Sequence, residues 1–91
     1  MFKVVVDGRS FRVHFRYSEV EVELFRGCRK TTCVIEEADK TVFRGTAICS
    51  RKDQFRKSIG RKHALTRALA GFNREDRSIF WAVYNMRRFC L

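Results

Sequence analysis

The chain has 91 residues, 45% of them hydrophobic and 13% aromatic, and carries 20 Lys and Arg against 10 Asp and Glu, a formal net charge of +10 at neutral pH. That length suits one domain with an adequate core and no room for a deep cavity, while the nine Phe, two Tyr and one Trp exclude a disordered basic tail. No apolar run approaches the roughly 20 residues that cross a bilayer, and the N-terminus lacks the apolar segment of an export signal, so a soluble protein that stays in the compartment that makes it is expected.

In chain order, Phe2, Val4 and Val6 alternate with Lys3, Val5 and Asp7, and Phe11, Val13, Phe15 and Tyr17 alternate with Arg12, His14 and Arg16. Asp7-Gly8 between the two runs supplies the positive φ of a two-residue type I′ turn. Closing Val6 on Arg9 predicts Val4 opposite Phe11 and Phe2 opposite Val13, with one apolar and one basic face. Glu19, Glu21 and Glu23 alternate with Val20, Val22 and Leu24, which fits either a third strand or an extended edge. Residues 31–36 and 41–49 are β-branched runs joined by Glu37-Ala38-Asp39-Lys40, a second hairpin. Gly27 and Gly45 read as a bend and a bulge.

From Ser50 the period changes. Ser50 and Asp53 form a variant capping box, after which Phe55, Ile59, Leu65, Leu69 and Phe72 make one helical stripe, predicting helix one over about 51–70. Gly71 stands where a helix C-cap is expected, and Asn73 with Asp76 can start helix two, over about 74–89. Ile79, Phe80, Val83 and Met86 are its expected buried stripe, with Trp81 and Tyr84 on a neighbouring face. The whole predicts an α+β fold, an antiparallel sheet of about four strands with a two-helix hairpin packed on one face.

Charge is uneven along the chain. Residues 1–41 hold eight Lys and Arg against seven Asp and Glu, whereas residues 42–91 hold twelve against three. Arg51, Lys52, Arg56, Lys57, Arg61 and Lys62 crowd into twelve residues opposed only by Asp53. At 100° per residue Arg56, His63 and Arg67 share a helix face with Gly60, away from the apolar stripe. Such a ridge tracks phosphates, because cations at helical spacing release counterions from a polynucleotide; it also serves simply as a solvated face. Gly60 in a helix interior implies close approach to its backbone, by a ligand or by a strand. Arg12 and Arg16 on the second strand are further candidates for nucleic-acid contact, whereas the nearby Phe and Tyr belong to the core face rather than to a base-stacking platform. Helix-turn-helix, zinc-finger and basic-zipper spacings are all missing.

Other chemistry finds little footing. Cys28, Cys33, Cys49 and Cys90 make no close ligand pair, and neither do the two His residues, so no metal is expected; the thiols read as reduced and mostly buried. Cys49 lies near His63 in sequence without an orienting third group. Glu36 and Glu37 are successive strand residues that face opposite sides. No phosphate-cradling glycine loop is present. A non-catalytic protein without cofactor is therefore expected.

Cys49, Lys52, Asp53, Phe55, Lys57, Gly60, Arg61, Lys62, Ala64, Leu65, Arg67, Ala68 and Leu69, followed by Phe72, Asn73, Trp81, Tyr84 and Asn85, resemble a pattern in small proteins of tailed bacteriophages, over about residues 44–86. The resemblance implies a phage or prophage accessory protein acting in the bacterial cytoplasm, and assigns no residue roles. Three functions suit such a protein. One is nucleic-acid binding, to DNA or RNA, through Arg51, Lys52, Arg56, Lys57, Arg61, Lys62 and Arg67 with Arg12 and Arg16. Another is counter-defence, in the manner of an anti-CRISPR, against a host protein or nucleoprotein complex, with Trp81 and Tyr84 as aromatic anchors, for which core packing is the competing role. The third is a sponge for a signalling nucleotide, built on an oligomer such as a homodimer.

Overall fold

The structure, a computed structural model, describes residues 2–20, 27–49 and 57–87. Alternating apolar residues in the first half form four antiparallel strands, β1 (Phe2–Val6), β2 (Arg9–Glu19), β3 (Arg29–Glu37) and β4 (Lys40–Cys49). They are hydrogen-bonded in the order β1-β2-β3-β4. Asp7 and Gly8 have φ of 49° and 78°, as the primed turn demands. The register follows, with Val6 on Arg9, Val4 on Phe11 and Phe2 on Val13. The second hairpin turns on Ala38 and Asp39, at φ of 51° and 64°, so the same turn is made there without glycine. Glu21 and Glu23, with Val22 and Leu24, lie outside the described residues, as do Ser50, Asp53 and Phe55.

Two helices follow, α1 (Lys57–Ala68) and α2 (Arg74–Arg87), linked by a 3-10 turn over Leu69–Gly71. The Asn73 side chain accepts the Asp76 amide at 2.8 Å, an N-cap that Glu75 and Asp76 in the first turn reinforce through the helix dipole. Gly71 does not supply a left-handed cap. The chain leaves the 3-10 turn through an extended Phe72, and a Cβ on Gly71 would meet the Phe43 ring, so space fixes the glycine.

Both helices cover the same sheet face, α1 over β3 and β4 and α2 over β1. The core between them comprises Val4, Val6, Phe11, Val13, Cys33, Ile35, Ala47, Ala64, Leu65, Leu69, Phe80 and Tyr84. Phe72 joins the layers, its ring 4.3 Å from Phe43, 4.8 Å from Phe80 and 5.5 Å from Phe11.

Four expected placements are corrected. Gly45 is no bulge: the register shift lies near Ile35 and Glu36, and Gly45 is buried because a Cβ there would strike the main chain of α1 at Ala64 and Ala68. Gly60 does not lie on an outward ridge, since a Cβ on it would stand 2.5 Å from Thr31 Oγ1 on β3. With Gly60, Ala64 and Ala68 at four-residue spacing facing the sheet, α1 descends onto β3 and β4 too closely for a large side chain. Ile59 is accordingly turned out to 49% exposure. On α2 the buried pair is Phe80 and Tyr84, while Ile79 and Met86 are exposed.

A candidate nucleic-acid interface

Strand alternation sends every second residue to the face that the helices leave uncovered. The registers put Lys3 beside Arg12, Arg12 beside Glu36, His14 beside Val34 and Val34 beside Arg44. One step along, Arg16, Thr32 and Thr46 form a row, and Ser18, Lys30 and Ile48 another. Among the described residues this outer face thus carries Lys3, Arg12, Arg16, Lys30 and Arg44 over four successive rows, with Glu36 as the one carboxylate in them. That carboxylate is already engaged, because His14 Nε2 contacts Glu36 Oε1 across β2 and β3. His14 is therefore a half-buried partner of Glu36 rather than an isolated exposed residue.

Arg12 Nη1 lies 3.9 Å from Asp39, a carboxylate 89% exposed on the turn, a contact worth little in water. Lys3, Arg16, Lys30 and Arg44 make no ion pair among the described residues. Val34 is buried on this face. Phe11, Phe15 and Tyr17 all point to the helix side, so among the described residues the one aromatic ring on this face is the His14 imidazole, which Glu36 holds.

The α1 cations are placed differently. Arg61 turns toward the sheet and donates Nη1 to the Tyr17 hydroxyl at 3.1 Å. That bond raises its pKa above the ordinary arginine value, with burial opposing and Tyr84 adding a smaller contribution in the same direction. Lys57 Nζ stands 4.9 Å from the centre of the Tyr17 ring, a cation–π geometry. Arg67 donates Nη1 to the Thr46 carbonyl on β4, the outermost strand. Lys62 and His63 are exposed. The described part of the expected ridge is therefore largely tied to the sheet, and Arg12 and Arg16 lie on the opposite side of it. Arg51, Lys52 and Arg56 lie outside the described residues.

No protein-family model, curated protein or solved structure matches the chain.

The remaining groups do not converge on a reactive site. Among the described residues no three His, Cys, Asp or Glu side chains are placed to share a metal ion. Cys33 is fully buried on β3, and burial pushes its thiol up to about 12, which leaves it an inert hydrophobe at neutral pH. Glu37, on the other side of β3 from Glu36, accepts both Nε and Nη2 of Arg9 at 2.7 Å. Trp81 is half-buried with its ring 5.7 Å from and perpendicular to that of Tyr84, and Tyr84 is in the core, so of the two aromatic candidates Trp81 alone retains exposed surface. No helix among the described residues is long and apolar enough to cross a membrane.

Sequence reasoning anticipated Arg12 and Arg16 but passed over Lys3, Lys30 and Arg44. Lys3 was within reach, since the Asp7-Gly8 register already set it beside Arg12. Lys30 and Arg44 depend on how β3 and β4 pair beyond the irregularity near Glu36, and no turn signal specifies that.

Proposed function

We propose that this chain is a non-catalytic accessory protein of phage type that binds nucleic acid through the uncovered face of its sheet. The observation that supports this most directly is that Lys3, Arg12, Arg16, Lys30 and Arg44 share one sheet face, along which the one described carboxylate, Glu36, is already occupied by His14. With no Phe, Tyr or Trp ring on the face among the described residues, recognition rests on the sugar-phosphate backbone, which fixes position without reading sequence. The mechanism is counterion release: each phosphate neutralised returns its condensed cation to bulk. Five contacts give a log–log salt slope of about −4.5 on duplex DNA, from about −0.9 per contact, and about −3.5 on a single strand.

The test is an anisotropy titration of nucleic-acid-free protein against labelled single-stranded DNA, duplex DNA and duplex RNA over a range of salt. Affinity tighter than about 1 μM near 150 mM salt is expected, with the slope falling by about 1.8 when Arg16 and Arg44 both become Ala. Affinity no better than the roughly 10⁻⁴–10⁻⁶ M of nonspecific binding refutes the reading. So does a loss carried by Lys62→Glu and not by Arg16→Glu with Arg44→Glu, since phosphates would then run along α1.

A further inference from the structure

Among the described residues of the uncovered sheet face, His14 is the one imidazole. The charged groups around it are Arg12 and Arg16 on its own strand, Glu36 and Lys30 on β3, Lys3 on β1 and Arg44 on β4. Both helices pack on the opposite face. Ammonium and guanidinium groups keep their charge across pH 5–8, whereas an imidazole ordinarily titrates inside that window.

The contact between His14 and Glu36 decides which ring nitrogen takes the proton. An ionised carboxylate accepts and does not donate, so the Nε2 that meets Glu36 Oε1 carries the hydrogen. The neutral ring then has its lone pair on Nδ1, which has no hydrogen-bond partner among the described residues. A carboxylate that holds one nitrogen fixes both the tautomer and the orientation of the ring.

The two protonation states present different surfaces to an anion. With the ring neutral, the pair carries the single negative charge of the carboxylate, and the Nδ1 lone pair repels a phosphate oxygen. With a proton bound at Nδ1, the pair is neutral and Nδ1 is an N–H donor, while Nε2–H remains on Glu36. The face therefore gains one unit of positive charge and one donor in a single step.

We infer that His14 is a proton-gated phosphate contact: protonated at Nδ1 while Glu36 holds Nε2–H, it joins the arginines of the face and tightens nucleic-acid binding as the pH falls. Its position suits the role. His14 shares a row with Arg44, across Val34, and stands between Arg12 and Arg16 along β2. At about 3.4 Å per residue each arginine is roughly 6.8 Å from it along the strand, so a phosphate chain held by both passes the ring. Binding and protonation are reciprocal, because bound phosphate in turn favours the charged ring. Glu36 is a positioning residue, acting on the phosphate only through the imidazole. The inference rests on the sheet face as the nucleic-acid interface.

Anisotropy titrations of the full chain against labelled single-stranded DNA, duplex DNA and duplex RNA, at about pH 5.5 and about pH 8 and over a range of salt, test it. Affinity is expected to be about tenfold higher at the lower pH, the size of one charge-assisted hydrogen bond. The salt slope on duplex DNA should steepen by about 0.9, one further phosphate contact. His14→Gln is uncharged at both pH values and is expected to bind equally at the two. His63→Gln, at the other histidine, exposed on α1, is expected to keep the whole difference. Ring 15N shifts of His14 in the free protein at the higher pH are expected to show hydrogen on Nε2 and none on Nδ1.

Equal affinity at the two pH values overturns the inference and leaves nucleic-acid binding standing. Affinity no better than nonspecific at both overturns the two together. A pH difference that survives His14→Gln, or a ring with its hydrogen on Nδ1, overturns the inference alone. If His14→Gln misfolds, the wild-type 15N spectrum at neutral pH decides: added nucleic acid is expected to move Nδ1 toward its protonated position, and an unmoved Nδ1 overturns the inference.

Discussion

Gly45 is the position where the seating of α1 is most exposed to test. A Cβ there would meet the Ala64 carbonyl and the Ala68 amide nitrogen at once, with the Arg67 carbonyl carbon 2.9 Å away. All three are main-chain atoms of a helix, so no rotamer change relieves the clash and α1 must lift or slide as a body. Overpacking in cores costs about 1–3 kcal/mol, and more where backbone has to move. Replacing Gly by Ala returns about 0.4–1 kcal/mol through the unfolded chain, which leaves a net loss for Gly45→Ala of about 2 kcal/mol. For a domain of this size 1 kcal/mol lowers Tm by about 4–8 °C, so a drop of about 8–16 °C is expected in thermal melts. Gly71→Ala is the control. Its Cβ would meet the Phe43 ring, a side chain able to tilt, and its loss is expected to be less than half as large. Equal melting of Gly45→Ala and wild type would refute the close seating of α1 on β4.

Two further outcomes follow from the same contacts. Thr31 Oγ1 is buried against Gly60 without a hydrogen-bond partner, so the near-isosteric Thr31→Val is expected to stabilise the fold by about 1 kcal/mol in urea melts; a destabilisation of that size would show that the hydroxyl is satisfied. The Arg9 hydrogen bond holds Glu37 below the ordinary carboxylate value of 4.5. A depressed carboxylate contributes stability that is complete above its unfolded-state pKa and is lost as the pH falls through the folded one. The melting temperature of wild type should therefore fall slightly more steeply below that value than that of Glu37→Gln, and identical acid limbs would refute the contribution.

The strands were legible because their signals are local. Asp-Gly forces one register on β1 and β2, and strict alternation then decides the face of every residue from Phe2 to Tyr17. The Asn73 cap was legible for the same reason. The face that α1 turns to the sheet was misjudged because a stripe drawn through the largest apolar residues selected Ile59. What decides that face is the depth of the surface receiving it. At Gly45 and Thr31 the sheet leaves room for hydrogen or methyl, so Gly60, Ala64 and Ala68 go inward and the bulkier isoleucine is expelled. Their four-residue spacing, with a glycine in the preceding strand, was the available signal.

The candidate interface was half visible. Counting charge by segment assigned the positive field to the helices, but a formal charge does not reveal its hydrogen-bond partners. Arg61 is drawn inward by Tyr17 and Arg67 by the Thr46 carbonyl, pairings between residues far apart in the chain. The cations on the uncovered face of the sheet are instead those that alternation places opposite the core, scattered through the sequence as Lys3, Arg12, Arg16, Lys30 and Arg44. Their gathering is a property of the register and not of any run.

The bond from Arg67 to Thr46 also makes the two margins of the sheet unequal. A chain whose first and last strands were equally available could add β1 of one molecule to β4 of the next, a head-to-tail arrangement that generates filaments unless its rotation closes. On β4 a side chain from α1 already holds a main-chain acceptor, while the outward groups of β1 are bare among the described residues. The two margins therefore differ at this one acceptor: a strand added beside β4 either forgoes the Thr46 carbonyl or displaces Arg67, a cost that β1 does not impose.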